Sequence, residues 1–137
     1  MKRLLARVVL ILLVAAGVWG VLGWPHLNRV ETGKTPEYPD LQPREYVAPA
    51  PQVSKAVTAA LAQMSGWTYT GSGSGPGGSQ TQATSELPPC DMFIWVRGGK
   101  GKTVVSVKSE SRFGPWDFGQ NARNIRTFLS RLDQQLQ

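Results

Sequence analysis

The side chains best suited to chemistry lie close together near the C-terminus, in the stretch RFGPWDFGQNAR. A carboxylate, Asp117, and an amide, Asn121, stand there between two guanidinium groups, Arg112 and Arg123. Together these groups could form a polar binding site. Asp117 and Gln120, however, have the spacing of a capping box, in which the carboxylate accepts hydrogen bonds from the first amides of a helix. We therefore expect a structural junction here and keep a shared polar site as the alternative.

Asn121 has a second structural role in this prediction. It lies four residues before Ile125 and seven before Phe128, so it falls on the buried stripe of the helix predicted to follow the junction. A buried amide needs hydrogen-bond partners, and the backbone of the neighbouring loop can supply them. This placement also favours a junction over a site.

The residue types give little support for catalysis. Asp91, Glu110 and Asp117 could in principle act as general acids or bases, but nothing in the sequence places the first two together. His26 is the only histidine and Cys90 the only cysteine, which excludes a multi-histidine metal site, an intramolecular disulfide and a thiol pair. We expect no enzyme activity, no metal and no cofactor.

The charge of the chain argues against nucleic acid as a partner. The formal net charge is +6, but three of the fifteen basic residues, Lys2, Arg3 and Arg7, precede an apolar N-terminal run. The remaining excess of basic residues is small and dispersed, whereas nucleic-acid binding usually needs a concentrated basic surface.

Residues 1–24 are predicted to be a basic segment followed by a transmembrane helix. The 17 residues of Val8–Trp24 contain no charged side chain, and as a helix they would rise roughly 25 Å against a hydrocarbon core of about 30 Å. Counting from Leu4, with Arg7 extending toward the headgroups, the helix reaches about 31 Å. Trp19 and Trp24 suit the far membrane interface, and a proline follows. A cleaved secretory signal is the alternative.

The basic residues before the apolar run also predict the orientation. By the positive-inside rule they place the N-terminus in the cytoplasm and the rest of the chain outside. The predicted location is thus a bacterial inner membrane crossed once by residues 8–24, with the domain facing the periplasm or the cell exterior.

Residues 25–52 contain six prolines and many polar residues, which favours an extended linker. Within it, Glu45-Tyr46-Val47 could pair as an edge strand. Residues 53–137 are predicted to form one domain, since the length leaves room for a single core.

The domain is predicted to be α+β, a two-layer fold of about four antiparallel strands packed with two helices. Apolar residues at helical spacing predict the first helix, namely Val53, Val57, Ala60, Leu61 and Met64. Two hairpins follow, and the first should have a flexible tip of glycine, serine and one proline. The last helix carries an apolar stripe of Ala122, Ile125, Phe128, Leu129, Leu132 and Leu136.

Two surfaces of this domain could bind a partner. If the helices cover one sheet face only, Phe93 and Trp95 form an aromatic surface on the other, with Trp67 and Tyr69 as further candidates. The flank of the last helix carries a basic row that includes Arg123 and Arg126, either solvated or facing an anionic partner or lipid headgroups.

A resemblance to a known family rests on SESRFGPWDFGQNARNIRTFLSRL and on TGKTPEYPDLQPREY upstream. The chain resembles, over residues 31–132, the bacterial family called domain of unknown function 1499. The matching positions are Ser111, Arg112, Asp117, Gly119, Asn121, Arg123, Ile125 and Arg126. The resemblance supports the fold, implies no established activity, and makes Arg112, Asp117, Asn121 and Arg123 a cluster worth testing.

The function expected from the sequence is a non-catalytic, membrane-anchored envelope domain that interacts with another protein or has a structural role. The alternative is a module for a small ligand or lipid, using a groove between the sheet and the last helix and an apolar cavity beside Trp95. A hydrolytic enzyme comes third.

Overall fold

The computed structural model describes residues 1–137 as three helices and one six-stranded antiparallel sheet. The α+β class is confirmed, with six strands where the sequence predicts about four. The elements in chain order are α1 Lys2–Leu22, β1 Arg29–Glu31, β2 Arg44–Tyr46, α2 Ala50–Ala62, β3 Trp67–Gly75, β4 Gly78–Glu86, β5 Pro89–Gly99, β6 Lys102–Ser111 and α3 Gln120–Gln135.

The sheet has the order β1, β6, β5, β4, β3, and β2 also pairs with β6. β1 lies opposite residues 108–110 and β2 opposite residues 103–105, so the two short strands share one edge of β6. Both predicted hairpins are present as β3–β4 and β5–β6. The β5–β6 turn uses Lys100 at φ 44° and Gly101 at φ 79°, the left-handed angles of a tight two-residue hairpin turn.

The segment predicted to be a linker is built into the domain. Val30 in β1 is fully buried and Leu41 is 3% exposed, and both belong to the hydrophobic core. Residues 29–31 and 44–46 pair with β6, the second pair close to the edge strand suggested by the sequence. The linker prediction fails because prolines occur in edge strands and turns as well as in linkers. This segment forms edge strands because it can pair with the open edge of β6.

The glycine- and serine-rich stretch is also more regular than predicted. Residues 67–75 form a nine-residue strand, and only Pro76 and Gly77 separate it from β4. Gly78 adopts φ +107°, and a Cβ at this position would lie within 2.2 Å of the Val96 carbonyl oxygen. The turn therefore requires glycine here. Residues 71–75 of β3 lack the apolar alternation by which a strand is recognised, so their pairing with β4 comes from backbone hydrogen bonds.

Helices α2 and α3 pack together on one face of the sheet, as predicted. The buried strand residues Ala83, Met92, Ile94, Val105 and Val107 point toward them. From α2 come Val53, Ala56, Val57, Ala60 and Leu61, and from α3 come Ala122, Ile125, Phe128, Leu129 and Leu132. The opposite face has no helical layer.

Helix α1 stands apart from this core and has no buried residue. It is the one helix in the structure that is both long enough and apolar enough to cross a membrane. A signal sequence would also meet these two criteria.

Candidate functional site

The polar residues of the predicted site all lie around the junction loop, residues 112–119, which connects β6 to α3. Asp117 is 8% exposed and receives two backbone hydrogen bonds. Its Oδ1 accepts from the Gly119 amide at 2.9 Å and its Oδ2 from the Asn121 amide at 2.8 Å. The carboxylate thus caps the first turn of α3, and both of its oxygens are occupied by backbone donors.

The second half of the predicted capping box is absent. Gly119, at φ 75°, is the residue just before the helix, and the Gln120 side chain does not reach back toward Asp117. Its amide nitrogen donates to Asn124 Oδ1 at 2.8 Å instead, and its oxygen accepts from Arg123 at 3.0 Å. Gln120 is already inside the helix, so its side chain points along the helix.

Asn121 is fully buried, as its helical spacing predicted. Its amide nitrogen donates to the Asn28 carbonyl at 2.9 Å and to Ser111 Oγ at 3.0 Å, and its oxygen accepts from Ser109 Oγ at 2.7 Å. All hydrogen-bonding capacity of this side chain but one lone pair is used internally. The amide therefore joins β6, α3 and the segment before β1.

Arg112 forms ion pairs with two carboxylates. Its guanidinium lies 3.1 Å from Asp91 Oδ1 and 3.2 Å from Glu86 Oε1. The hydrogen bond that Arg112 donates to Asp91, followed by the one it donates to Glu86, raises the pKa of Arg112 above its ordinary value. The register places Glu110 directly opposite Asp91, a neighbour relation that the sequence did not reveal. Glu110 is paired with Lys108 at 3.2 Å, so each carboxylate has its own cation.

Two of the three arginines on α3, Arg126 and Arg123, have different kinds of partner. Arg126 forms a bidentate pair with Asp40 at 2.9 and 3.0 Å, 86 positions away in the chain. This hydrogen bonding lowers the pKa of Asp40 and raises that of Arg126. Arg123 contacts no carboxylate and donates to the Phe118 carbonyl oxygen at 3.0 Å. Of the predicted polar cluster, only Arg123 keeps an exposed cation without an acidic partner.

The sequence did not reveal that the start of the domain is part of the junction. The exit segment, residues 23–28, directly follows α1 and runs along the junction loop. The Asp117 amide donates to the Leu27 carbonyl at 2.9 Å, and the Ser111 amide donates to that of Asn28 at 2.8 Å. Trp24 packs against Gly119, where an added Cβ would lie 3.0 Å from Trp24 Cζ2. These contacts join residues that are far apart in the chain, and no sequence motif marks them.

Phe93 and Trp95 are not part of the junction and lie on the sheet face opposite the helices. We call this surface the bare face, and at its centre are Gln80, Gln82, Phe93, Trp95, Ser106 and Lys108. The two rings stack at a centroid distance of 6.2 Å, and Lys108 Nζ lies 4.2 Å from the Phe93 centroid. Both aromatic residues are half-buried.

Trp67 and Tyr69 are not part of this aromatic surface. They pair with Ser85 and Ala83, two buried residues on the helical side, and Trp67 packs against the core. A β-bulge between Tyr69 and Gly71 shifts the register, so that glycines rather than aromatic residues follow on the bare face.

The predicted groove between the sheet and the last helix is absent at Trp95. That residue and α3 lie on opposite faces, and the α3 side is filled by fully buried Phe128 and Leu132. Near Trp95 there is instead an open depression of about 360 Å³, lined mainly by glycines, Gln80 and Arg97. No group of three His, Cys, Asp or Glu side chains could hold a metal ion.

Cys90 is buried beside the junction, and its burial raises the pKa of the thiol. Its Sγ lies 3.9 Å from Ser111 Oγ. A protonated, enclosed thiol of this kind is a packing residue.

Comparison with known proteins agrees with this architecture. No curated protein matches the chain. A family match covers residues 24–132, which run from the exit segment through β1, β2 and the sheet to near the end of α3. The match spans well over half of the chain, and its limits include the segment predicted to be a linker. The chain therefore belongs to the family described as Protein of unknown function (DUF1499).

Proposed function

We propose that the protein is a non-catalytic interaction module, anchored by α1 in the bacterial inner membrane, whose bare face binds another envelope protein. The observation that carries this proposal is a sheet covered by helices on one face only, with Phe93 and Trp95 at the centre of the uncovered face. The domain would face the periplasm or the cell exterior.

The character of α1 supports the anchoring. All of its side chains are exposed in the isolated chain, although most are apolar. Exposing such a helix to water is costly, at roughly 25 cal/mol for each Å² of apolar surface, and a bilayer removes that cost. Lys2, Arg3 and Arg7 at its start support a cytoplasmic N-terminus through the positive-inside rule.

The composition of the bare face supports a protein partner. Aromatic residues are enriched in the binding centres of protein interfaces, and polar residues commonly surround them. Phe93 and Trp95 have that setting, because Gln82 and Lys108 flank one ring, and Gln80 and Ser106 flank the other. The surface is flat and its depression is open, which suits a broad partner better than an enclosed small molecule.

The pairing of the three candidate catalytic carboxylates supports a non-catalytic role. Asp117 is occupied by two backbone amides, Asp91 by Arg112 and Glu110 by Lys108. A general acid or base needs a carboxyl group that can exchange protons with a substrate. All three of these carboxylates already have a partner within the protein.

The test is site-specific photo-crosslinking in the native membrane. A photoreactive amino acid replaces Gln82, which lies beside Phe93 on the bare face, and in a matched variant it replaces Ser130, which is exposed on α3. We expect a discrete protein adduct from position 82 only. Trp95→Ala should reduce that adduct at least fivefold, because the aromatic centre supplies most of the binding free energy.

Equal adducts from both positions, or an adduct that Trp95→Ala leaves unchanged, would contradict the proposal. Native mass spectrometry of the full-length protein, released gently from its membrane, tests the alternative of a small-ligand or lipid-binding module. A retained small molecule whose binding is lost in Trp95→Ala would favour that alternative, with the depression beside Trp95 as its site.

A further inference from the structure

We propose that the junction loop and the exit segment form an aromatic foot that rests in the interfacial region of the membrane crossed by α1. The foot consists of Trp24, Phe113, Trp116 and Phe118. The proposal rests on the anchoring role of α1 given above. It places the domain directly on the bilayer surface, where a flexible linker would have allowed it to move away.

The first observation is an unusual exposure of large apolar side chains at one place. Phe113 is 74% exposed, Phe118 52%, Trp24 43% and Trp116 42%, and all four lie in the exit segment or the junction loop. The rings also contact one another or their neighbours, with Trp116 and Phe118 edge to face at 6.0 Å and His26 at 4.5 Å from Trp116. Clustered exposed apolar groups of this kind mark an interaction surface.

The second observation is the distance along the chain from α1. Helix α1 ends at Leu22, and Trp24, which packs on Gly119, is only two residues further. Two residues span at most roughly 7 Å, and each headgroup region of a bilayer is about 5–7 Å thick. If α1 spans the membrane, the loop around Gly119 must lie at the membrane surface.

The third observation is the chemistry of the cluster. Tryptophan prefers the membrane–water interface, and phenylalanine readily enters its apolar side. Arg123, the exposed cation without a carboxylate partner, donates to the Phe118 carbonyl and lies beside Trp24. A guanidinium group at this depth can pair with lipid phosphates.

The strand connections show at which end of the sheet the foot lies. The β4–β5 turn lies at the same end as the junction loop, because the Arg112 amide donates to the Pro89 carbonyl. This turn exposes Leu87 by 91%. The β5–β6 turn at Lys100 lies at the other end of β6, roughly 30 Å away at about 3.3 Å per residue. Leu87 and the aromatic foot thus lie at the end of the sheet nearest to α1.

Spin labels on the full-length protein, reconstituted in vesicles of phosphatidylcholine and phosphatidylglycerol, test the inference. Cys90→Ser provides the background, and single labels are placed through Phe113→Cys, Lys100→Cys and Leu13→Cys. Collision with oxygen, which concentrates in the bilayer, is compared with collision with a water-soluble nickel chelate. We expect the oxygen-to-nickel ratio at position 113 to exceed that at position 100 by at least fivefold. Position 13 should give the highest ratio.

Two outcomes would overturn the inference while leaving the anchor intact. With position 13 inside the bilayer, an aqueous signal at position 113 would show that the loop does not touch the membrane. Low accessibility of position 113 to both reagents would show that protein, such as a second copy of this chain, covers it. An aqueous signal at position 13 would instead contradict the anchoring itself. Phe118→Cys repeats the measurement at a second site of the foot.

Discussion

Asn121 shows how one side chain can hold three parts of the chain together. Its side-chain amide contacts Asn28 before β1 and Ser109 and Ser111 at the end of β6, and its backbone amide lies in the first turn of α3, where it donates to Asp117. We expect Asn121→Ala to lower the free energy of unfolding by roughly 2–3 kcal/mol, because buried partners lose their hydrogen bonds. Urea unfolding of the full-length protein measures this change.

Ser130→Ala is the matched control for that experiment. Ser130 is exposed on the same helix and makes no side-chain hydrogen bond, so its loss should change stability by less than about 0.5 kcal/mol. A similar effect of the two substitutions would show that Asn121 has no special role in the junction.

At the scale of elements, β2 is held to α3 through Asp133, which pairs with Arg44 at 3.5 Å and accepts a hydrogen bond from Tyr46. The Tyr46 hydroxyl donates to Asp133 Oδ1 at 2.6 Å, and burial raises the pKa of Tyr46, so the hydroxyl stays protonated as a donor. Tyr46→Phe should cost about 1–2 kcal/mol of stability, since a hydrogen bond to a charged group is lost. Thermal unfolding monitored by circular dichroism measures the loss.

The neighbouring residue supplies the control for β2. Glu45 is bonded only to Lys102, and both side chains are 60% exposed. Glu45→Gln should therefore change stability by no more than about 0.5 kcal/mol. If it costs as much as Tyr46→Phe, the β2 edge is held by its surface charges, and the contact to α3 is secondary.

At the scale of the whole molecule, the pair of Asp40 and Arg126 joins the segment between β1 and β2 to the last helix. Because Arg126 lowers the pKa of Asp40, the pair stabilises the fold at pH values above the unfolded pKa of aspartate, about 3.9. This contribution should disappear as the pH falls through the lower, folded value. Arg126→Gln should thus be less stable than the natural chain at pH 7, by under about 1 kcal/mol, and equally stable in strong acid.

The measurement is urea unfolding of both chains at several pH values between neutrality and strong acid. A stability difference that persists unchanged into strong acid would show that Arg126 acts through packing, for example on Tyr38, whose ring lies 5.4 Å from the guanidinium carbon. Arg131→Gln, on the same helix and bonded only to Gln134, is the control and should show no pH-dependent difference.

The two proposed surfaces also belong to this scale, because they occupy different parts of one small domain. The aromatic foot lies at the end of the sheet near α1, whereas the bare face extends along the strands. A domain fixed on the membrane by its foot would present Phe93 and Trp95 in a limited range of orientations. Membrane contact would then help to position the partner-binding face.

The sequence by itself determined the elements whose apolar side chains repeat. The periods of α2, α3 and β5 predicted those elements, the apolar run predicted α1, and Asn121 fell on the buried stripe as expected. These patterns are local, since a helix or a strand shows its buried face within a few residues. The α+β class followed from their order.

Only the tertiary structure decided the features that depend on distant partners. Strands β1 and β2 and the second half of β3 lack a clear apolar period, and their pairing depends on an edge of β6 or on β4. The ion pair of Arg126 with Asp40 and the contacts of Leu27 and Asn28 with the junction likewise join residues 83 or more positions apart. Backbone hydrogen bonds and single charge pairs leave no periodic signal in the sequence, so these contacts become visible only when the fold brings their two halves together.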